Sequence, residues 1–167
     1  LHPMYRRQRQ MCIRDSDFSE LIGQDTLVKT FNNALNKGRL AHAFLLTGIR
    51  GVGKTTTARI IAKALNCIGD GSKEDPSFEI CNNCSPCKSI NNGNFLDVIE
   101  VDAASRTGVD GIREIIDSVI YSPNNARYKV YIIDEVHMLS NAAFNALLKT
   151  LEAVSYTHLT LPTIHRV

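Results

Sequence analysis

The chain has 167 residues, of which 44% are hydrophobic and 22% charged, and this size and composition are typical of one soluble globular domain. No apolar run approaches the ~20 residues that a membrane-spanning helix requires, so we expect a cytoplasmic protein with no membrane partner. The net charge is +2, but residues 1–16 and 154–167 hold five arginines against one acidic residue. Residues 17–153 therefore carry a net charge of −2, and bulk charge gives no reason to expect nucleic-acid binding.

Predicted helices and strands alternate along the body of the chain. In the helix predicted over 108–121, isoleucine or valine recurs at i, i+3, i+4, i+7 and i+8 from Ile112. The segment 129–134 holds four consecutive apolar residues, which is typical of a parallel strand covered on both faces. Strands separated by helices imply crossover connections and an α/β fold with a three-layer parallel sheet. The predicted order is helix 24–37, which Gly38 ends, strand 43–47, helix 55–66, strand 97–101, helix 108–121 and strand 129–134. A last helix is capped by Ser140 and has an apolar stripe of Phe144, Leu147, Leu148 and Leu151.

The two ends of the chain do not follow this alternation. Residues 11–16 (MCIRDS) and 154–163 (VSYTHLTLPT) resemble translated sequencing-adapter text. Natural but disordered tails are the alternative. We therefore expect non-native or disordered tails over 1–16 and 154–167, and a folded domain over 17–153.

Residues 48–55 read GIRGVGKT and fit the P-loop pattern GxxxxGK[ST] at every fixed position. Glycines let successive backbone N–H groups point at phosphate oxygens, and the following helix directs its positive end to the same place. Lys54 is then placed to reach the β- and γ-phosphates, and Thr55 to bind Mg²⁺ through its hydroxyl. A glycine-rich turn with an incidental lysine is the alternative. We predict that Mg-ATP is bound by Gly48, Gly51, Val52, Gly53, Lys54, Thr55 and Thr56.

An acidic pair, Asp134 and Glu135, follows the apolar segment VYII. Asp134, at the carboxyl end of a buried strand, is predicted to hold Mg²⁺. Glu135 is predicted to orient and polarise the attacking water. An acidic pair after an apolar strand is common by itself, but it becomes informative downstream of Lys54 on a strand of the same sheet. The predicted catalytic residues are therefore Glu135, Asp134 and Lys54.

Five cysteines in a chain expected in the cytoplasm indicate metal binding or catalysis rather than disulfides. Four of them have the spacing C-x13-C-x2-C-x2-C, which can bring thiolates onto one tetrahedral ion. Their position after the P-loop helix, apart from the catalytic groups, favours a closed structural Zn²⁺ site in a small module over 67–87. Iron–sulfur ligation and reduced, unliganded cysteines are the alternatives. The predicted zinc ligands are Cys67, Cys81, Cys84 and Cys87, whereas Cys12 lies in the N-terminal tail and is given no role.

Residues 18–152 closely resemble the ATPase domain of the bacterial DNA polymerase III gamma/tau subunits, the AAA+ motors of the replicative clamp loader. The cysteines together with DEVHMLS (134–140) make the resemblance specific, because most other AAA+ ATPases lack these cysteines. The matching text is FSELIGQ (18–24), AHAFLLTGIRGVGKTTTARIIAKALNC (41–67), DVIEVDAASRTGVDGIREI (97–115) and KVYIIDEVHMLSNAAFNALLKTLE (129–152).

The resemblance implies an ATP-dependent machine that opens the ring-shaped sliding clamp and places it on primer–template DNA. It implies a hetero-oligomeric ring with other clamp-loader subunits, and contacts with the clamp and the polymerase holoenzyme. Arg106 and Thr107 are implied DNA contacts inside the ring, with a solvated loop arginine as the alternative for Arg106. The phosphate-site residues, the acidic pair and the four cysteine ligands carry over with the roles given above.

The sequence departs from this family at both ends. Residues 12–16 stand where family members have a Tyr-Arg-Pro segment that lines the adenine pocket. After Glu152 the family continues to a sensor strand, a Ser-Arg-Cys arginine finger, a helical lid and an oligomerisation collar, so we expect an N-terminal fragment that is inactive alone. One alternative is another AAA+ DNA-remodelling ATPase, such as a branch-migration helicase, which the cysteines argue against. The other is a non-hydrolysing structural subunit of the same assembly, which would be expected to lose P-loop residues.

Overall fold

The computed structural model of the chain describes residues 17–18, 21, 25–49, 51–71, 75–105, 109–119 and 121–155. The N-terminal tail, residues 156–167, Arg106 and Thr107 lie outside these ranges. None of the described helices is long and apolar enough to cross a membrane. The described residues form the helices and strands α1 (Asp25–Asn36), α2 (Lys54–Asn66), α3 (Ser85–Asn92), β1 (Val98–Asp102), α4 (Val109–Val119), β2 (Val130–Asp134) and α5 (Asn141–Ser155).

Two helix ends follow from single residues that the sequence had singled out. Gly38 has φ +61, and its N–H donates to the carbonyl of Leu35 at 3.0 Å while the next N–H, of Arg39, donates to the carbonyl of Ala34 at 3.0 Å. This pair of bonds closes the end of α1 with a residue that tolerates a left-handed backbone. At the start of α5 the Ser140 hydroxyl accepts the N–H of Ala143 at 3.3 Å, which confirms the predicted cap.

The two strands are parallel and paired in register from Val98 opposite Val130 to Asp102 opposite Asp134. Alternate side chains of the sheet point to opposite faces. Val101 and Ile133 pack on one face in a cluster with residues of α4 and α5. Val130 packs in the cluster on α1 and α2. Helices therefore cover both faces, and the predicted parallel α/β sheet of three layers is confirmed.

The helix α3 was not predicted. It lies inside the cysteine segment, with Cys84 as its N-cap residue, Pro86 in its first turn and Gly93 at its end with φ 71. Its eight residues are too few to give a clear helical period. Cys87 and Ile90 are buried on this helix, so tertiary packing supports a helix that its sequence alone would not form.

The strand predicted over 43–47 is wrong. This segment has no strand assignment and pairs with neither β1 nor β2. Phe44 is 43% exposed and Leu45 80% exposed. A strand exists only through the backbone hydrogen bonds of a neighbour, and within the described ranges no segment supplies them to 43–47. Apolar composition predicted an extended segment but not a partner for it.

The apolar stripe predicted for the last helix is only partly buried. Ala143 and Leu147 pack against the cluster around β1, but Phe144 and Leu148 are each 39% exposed. Residues at i and i+4 share one face of a helix. The pair Ala143 and Leu147 therefore faces the sheet, and the pair Phe144 and Leu148 lies on a neighbouring, less covered face.

Asp97, directly before β1, anchors the loop that leads to β2. Its side chain is 1% exposed and accepts the backbone N–H groups of Asn124, Asn125 and Ala126 at 2.9 to 3.0 Å. Burial raises the pKa of this carboxyl, but the three N–H groups and the charge of Lys129 together lower it by more, so the pKa lies below its ordinary value. The buried carboxylate is therefore stabilised by the backbone it organises.

We expect Asp97→Asn to lower the free energy of unfolding by about 1–3 kcal/mol at pH 7, because the amide presents a donor to buried N–H groups. A carboxyl whose pKa is depressed in the folded state stabilises above its unfolded pKa, and this stabilisation is lost as pH falls through the folded pKa. The difference between wild type and variant should therefore shrink below about pH 4. Urea unfolding at several pH values measures both effects. Asp117→Asn, at an exposed position of α4, is the control and should unfold like wild type.

Candidate nucleotide and metal sites

The loop over 48–53 turns into α2 through glycines with left-handed backbones. Gly53, the N-cap residue of α2, has φ 88 and ψ 20, and its carbonyl accepts the N–H of Thr57 at 2.8 Å. At Gly48 a Cβ atom would lie 3.1 Å from Cγ1 of Val52. Side chains at these two positions would strain or crowd the loop. The free N–H groups of the first turn of α2, which includes Thr56, therefore open toward the loop.

Lys54 lies across this loop rather than away from it. Its Nζ donates to the carbonyl oxygens of Gly48 and Ile49, each at 3.0 Å. The ammonium group is thus held within the curve of the loop, near the positive end of the α2 dipole. This arrangement concentrates positive charge and N–H donors in one concave place, which is the chemistry that binds phosphate.

Thr55 and Asp134 meet although 79 residues separate them in the sequence. The Thr55 hydroxyl donates to Oδ2 of Asp134 at 2.8 Å. The other carboxylate oxygen of Asp134 accepts the N–H of Glu135 at 3.0 Å. A hydroxyl and a carboxylate beside a phosphate-binding loop are the oxygen ligands that Mg²⁺ prefers. The two residues predicted to hold magnesium are therefore in direct contact.

Glu135 has a strained backbone at the carboxyl end of β2. It has φ 52 and ψ 40 and precedes a 3-10 turn over Val136–Met138. Its Oε2 atom lies 3.3 Å from Nε2 of His137. A non-glycine residue in the left-handed region is uncommon, and such strain gathers at functional sites. The sequence predicted a role for Glu135 but gave no sign of its backbone conformation or of the His137 contact.

Asp102 is a further acidic residue at the same edge of the sheet. It is the register partner of Asp134, and it accepts the Ser105 hydroxyl at 2.7 Å and the Ala104 N–H at 2.8 Å. The Ser105 hydroxyl, followed by the Ala104 N–H, lowers the pKa of this carboxyl below its ordinary value. Asp102 therefore shapes the turn after β1. Sequence reasoning missed Asp102, although its position directly after the strand predicted over 97–101 could have indicated it.

A cavity of about 370 Å³ adjoins the phosphate loop. Lys54 and Thr57 of α2 form part of its wall, and Thr30 and Phe31 of α1 face them together with the segment 44–47. The cavity is therefore bounded by two helices and by the segment that has no strand partner.

The four cysteines predicted as ligands form one cluster. Their sulfur atoms all lie within 4.8 Å of one another, and the Sγ atoms of Cys67 and Cys81 are 3.5 Å apart. A tetrahedral site with metal–sulfur distances of ~2.3 Å separates its sulfurs by about 3.8 Å. Cys67 and Cys87 are fully buried. The cluster therefore fits a single tetrahedral ion in size, donor type and shielding from water.

The thiols of this cluster differ in acidity. Burial raises the pKa of Cys81, but hydrogen bonds from the backbone of Cys84 and Asn83 and from neighbouring thiols lower it to about 6. Burial raises the pKa of Cys87, and the adjacent sulfurs of Cys84 and Cys67 raise it further. A coordinated cation deprotonates thiols outright, so a divalent ion would remove this difference.

The phosphate loop and the cysteine cluster lie at opposite ends of α2. The phosphate loop ends at Gly53, before the first residue of α2, and Cys67 is the residue that follows its last. A helix of 13 residues is about 20 Å long. The cysteine cluster therefore lies too far from Lys54 to take part in chemistry at the phosphate loop.

Comparison with known proteins decides the family. Residues 23–163 match the family of DNA polymerase III, delta subunit. The chain belongs to this family, whose P-loop AAA+ clamp-loader domain has the parallel α/β fold described above. The resemblance that the sequence predicted is confirmed.

Individual relatives carry the names of gamma and tau subunits. DNA polymerase III subunit gamma of Buchnera aphidicola (Acyrthosiphon pisum) is 55% identical over 83% of this chain, and subunit tau of Bacillus subtilis is 51% identical over 91% of it. Subunit tau of Escherichia coli is 50% identical over 83% of the chain. The chain spans 37%, 25% and 21% of these three relatives.

The backbone strain at Glu135 gives a matched pair of variants. We expect Glu135→Gly to be more stable than Glu135→Ala by about 1 kcal/mol, because glycine adopts a positive φ without a Cβ clash. Both variants lose the contact with His137, so that loss cancels. At Lys149, on the exposed side of α5, the same pair should show the opposite order by about 1 kcal/mol. Chemical denaturation measures all four, and the same order at both positions would contradict the strain.

Proposed function

We propose that this chain binds and hydrolyses ATP as the motor part of a bacterial clamp-loader subunit of the gamma/tau type. The single observation that carries the proposal is the 2.8 Å contact between the Thr55 hydroxyl and the Asp134 carboxylate beside the phosphate loop. It joins the two residues that a Mg-ATP site needs from distant parts of the sequence. The folded domain is proposed to cover 17–153, with the cysteine module over 67–87 as an insertion.

Binding of the triphosphate is assigned to the loop and the first turn of α2. The backbone N–H groups of Gly51, Val52, Gly53 and the residues after them would hold phosphate oxygens. Lys54, which donates to two loop carbonyls, would transfer its hydrogen bonds to the β- and γ-phosphates. Thr55 and Asp134 would hold the magnesium ion, which supplies charge neutralisation at the phosphates.

Hydrolysis is assigned to Glu135. Its carboxylate lies one residue beyond Asp134 and is 44% exposed, so it is open to water. It would orient the attacking water and accept its proton. The developing charge on the γ-phosphate needs a further cation, which an arginine of a neighbouring subunit is proposed to supply. With this division of labour, the chain would turn over ATP only within a ring of subunits.

The metal at Cys67, Cys81, Cys84 and Cys87 is proposed to be Zn²⁺ in a structural role. Four sulfur donors would complete the tetrahedral shell of a zinc ion, so no coordination position would be left for a substrate. Zinc would hold the insertion between α2 and β1 together, because this short segment has little core of its own.

The proposed partners are other clamp-loader subunits, the sliding clamp, primer–template DNA and the polymerase holoenzyme, and the proposed location is the cytoplasm. The names of the gamma and tau relatives support this assignment. A non-hydrolysing structural subunit of the same assembly is the second candidate, because the description of the matched family names a delta subunit rather than gamma or tau. Retention of Lys54, Thr55 and Glu135 favours the motor.

We expect Lys54→Ala to weaken ATP binding by ~1.5–3 kcal/mol, because the phosphates lose a charge-assisted hydrogen bond. Titration with a fluorescent nucleotide measures the two affinities. Lys37→Ala removes an exposed positive charge beyond the end of α1 and should bind like wild type. Equal affinities for wild type and Lys54→Ala would remove Lys54 from the site.

The motor role is tested by Glu135→Gln in the parent subunit, assembled with clamp-loader partners, a sliding clamp and primed DNA. Wild type should hydrolyse ATP orders of magnitude faster in this assembly than alone, since an arginine supplied in trans is worth ~10³–10⁵ in rate. Glu135→Gln should keep nucleotide affinity and lose this gain. Full turnover by the variant would assign the water-activating role elsewhere, and no turnover by wild type would favour the structural subunit.

We expect the reduced chain to retain about one zinc per molecule, with four sulfur ligands at ~2.3 Å. Elemental analysis and X-ray absorption measure the two quantities. Cys87→Ser should lose the zinc because a buried ligand is removed, whereas Cys12→Ser should keep it. An iron–sulfur absorption spectrum, or a chain free of metal after purification without chelator, would contradict the assignment.

A further inference from the structure

Lys63 of α2 is buried beside the cysteine module. Its side chain is 1% exposed, although lysine is rarely buried without a partner. Its carbonyl oxygen accepts the N–H of Cys67 at 2.7 Å. Its Nζ atom donates to Oδ1 of Asn82 at 3.0 Å. One residue thus contacts both the first predicted ligand and the turn that carries the next two.

Asn82 has an unusual backbone. With φ 55 it is one of two non-glycine residues of the described part of the chain that have a positive φ. It lies between Cys81 and Cys84, in a turn where the Cys84 N–H is 3.3 Å from the Cys81 sulfur. A left-handed residue at this point bends the chain back so that both sulfurs face the cluster. Asparagine tolerates this conformation better than most residues. The hydrogen bond from Lys63 holds its side chain in place.

We propose that Lys63 is a positioning residue of the metal site, which fixes the turn over 81–84 through Asn82 before an ion binds. This inference rests on the proposed metal site. Residues behind metal ligands set the ligands' orientation, and their loss typically weakens metal binding 10- to 100-fold. A turn already formed leaves less ordering to be done on binding, which favours affinity. Lys63 would thereby link the end of the P-loop helix to the cysteine turn.

The first test is the zinc affinity of the whole 167-residue chain, measured under reducing conditions by competition with a chromophoric chelator. We expect Lys63→Met, which keeps the length of the side chain and loses its amine, to bind zinc about 10- to 100-fold more weakly. Lys88→Met removes an exposed positive charge from α3, next to Cys87, and should bind zinc like wild type. The stability of the metal-free proteins is measured in parallel, because a purely structural role would lower that stability and leave zinc affinity unchanged.

The second test leaves Lys63 in place and changes Asn82. Asn82→Ala removes the acceptor and keeps the Cβ atom, so zinc affinity should fall, whereas Asn82→Gly adopts the positive φ unaided and should stay near wild type. In the Lys63→Met background, Asn82→Gly should regain most of the lost affinity. If Lys63→Met does not fold, the comparison of the two Asn82 variants decides.

The outcomes separate the inference from the proposal on which it rests. A wild-type chain that takes up no zinc would overturn the metal site and Lys63's role with it. Zinc binding by wild type with equal affinities for Lys63→Met and Asn82→Ala would overturn the positioning role alone. A loss in Lys63→Met that Asn82→Gly does not recover would also overturn it, because Lys63 would then act by another route.

Discussion

Because the Thr55 hydroxyl donates to the Asp134 carboxylate, the first turn of α2 lies against the carboxyl end of β2. The other end of the helix is tied in the same way. The Asn66 side chain accepts the Tyr128 N–H and donates to the Tyr128 carbonyl, at 3.0 and 3.1 Å. Eleven helical steps cover about 17 Å, and six extended steps from 128 to 134 cover about 20 Å. The helix thus runs antiparallel to the strand with a polar contact at each end and its apolar face, including Ile60 and Ile61, buried between.

This arrangement allows one helix to serve two sites. The phosphate loop is fixed because its last glycine directly precedes α2, and the cysteine cluster is fixed because Cys67 directly follows α2. The bidentate pair between Arg59 and Glu100, with atoms 2.6 and 3.0 Å apart, adds a link from α2 to β1. This pair is partly exposed to solvent and contributes little stability. The contacts of Thr55 and Asn66, together with the buried face, determine where the helix lies.

Prediction from the sequence succeeded where a residue type has one characteristic local role. Gly38 and Ser140 ended and began helices as expected, because a positive φ and a capping hydroxyl are local properties. The four cysteines came together as their spacing predicted.

Prediction failed where the outcome depends on a distant partner. The segment 43–47 has apolar residues but no strand beside it, and Asp97 gave no sign of the three N–H groups that surround it. Glu135 has a left-handed backbone where the 3-10 turn over Val136–Met138 begins. No periodic pattern in the sequence predicts this turn.

The exposure of the segment 43–47 has a consequence for how the chain would behave in concentrated solution. This segment presents Phe44 and Leu45 to solvent within a stretch that pairs with neither described strand. Such a stretch is a template on which another chain can add a strand, and its sequence, AFLLT, has no charge and no proline to discourage this. Folded proteins usually protect such edges with lysine, proline or a covering element. Here the segment leads directly into the phosphate loop at Gly48. Self-association through it would therefore bury the approach to the loop, and solubility and nucleotide access become linked properties of the same five residues.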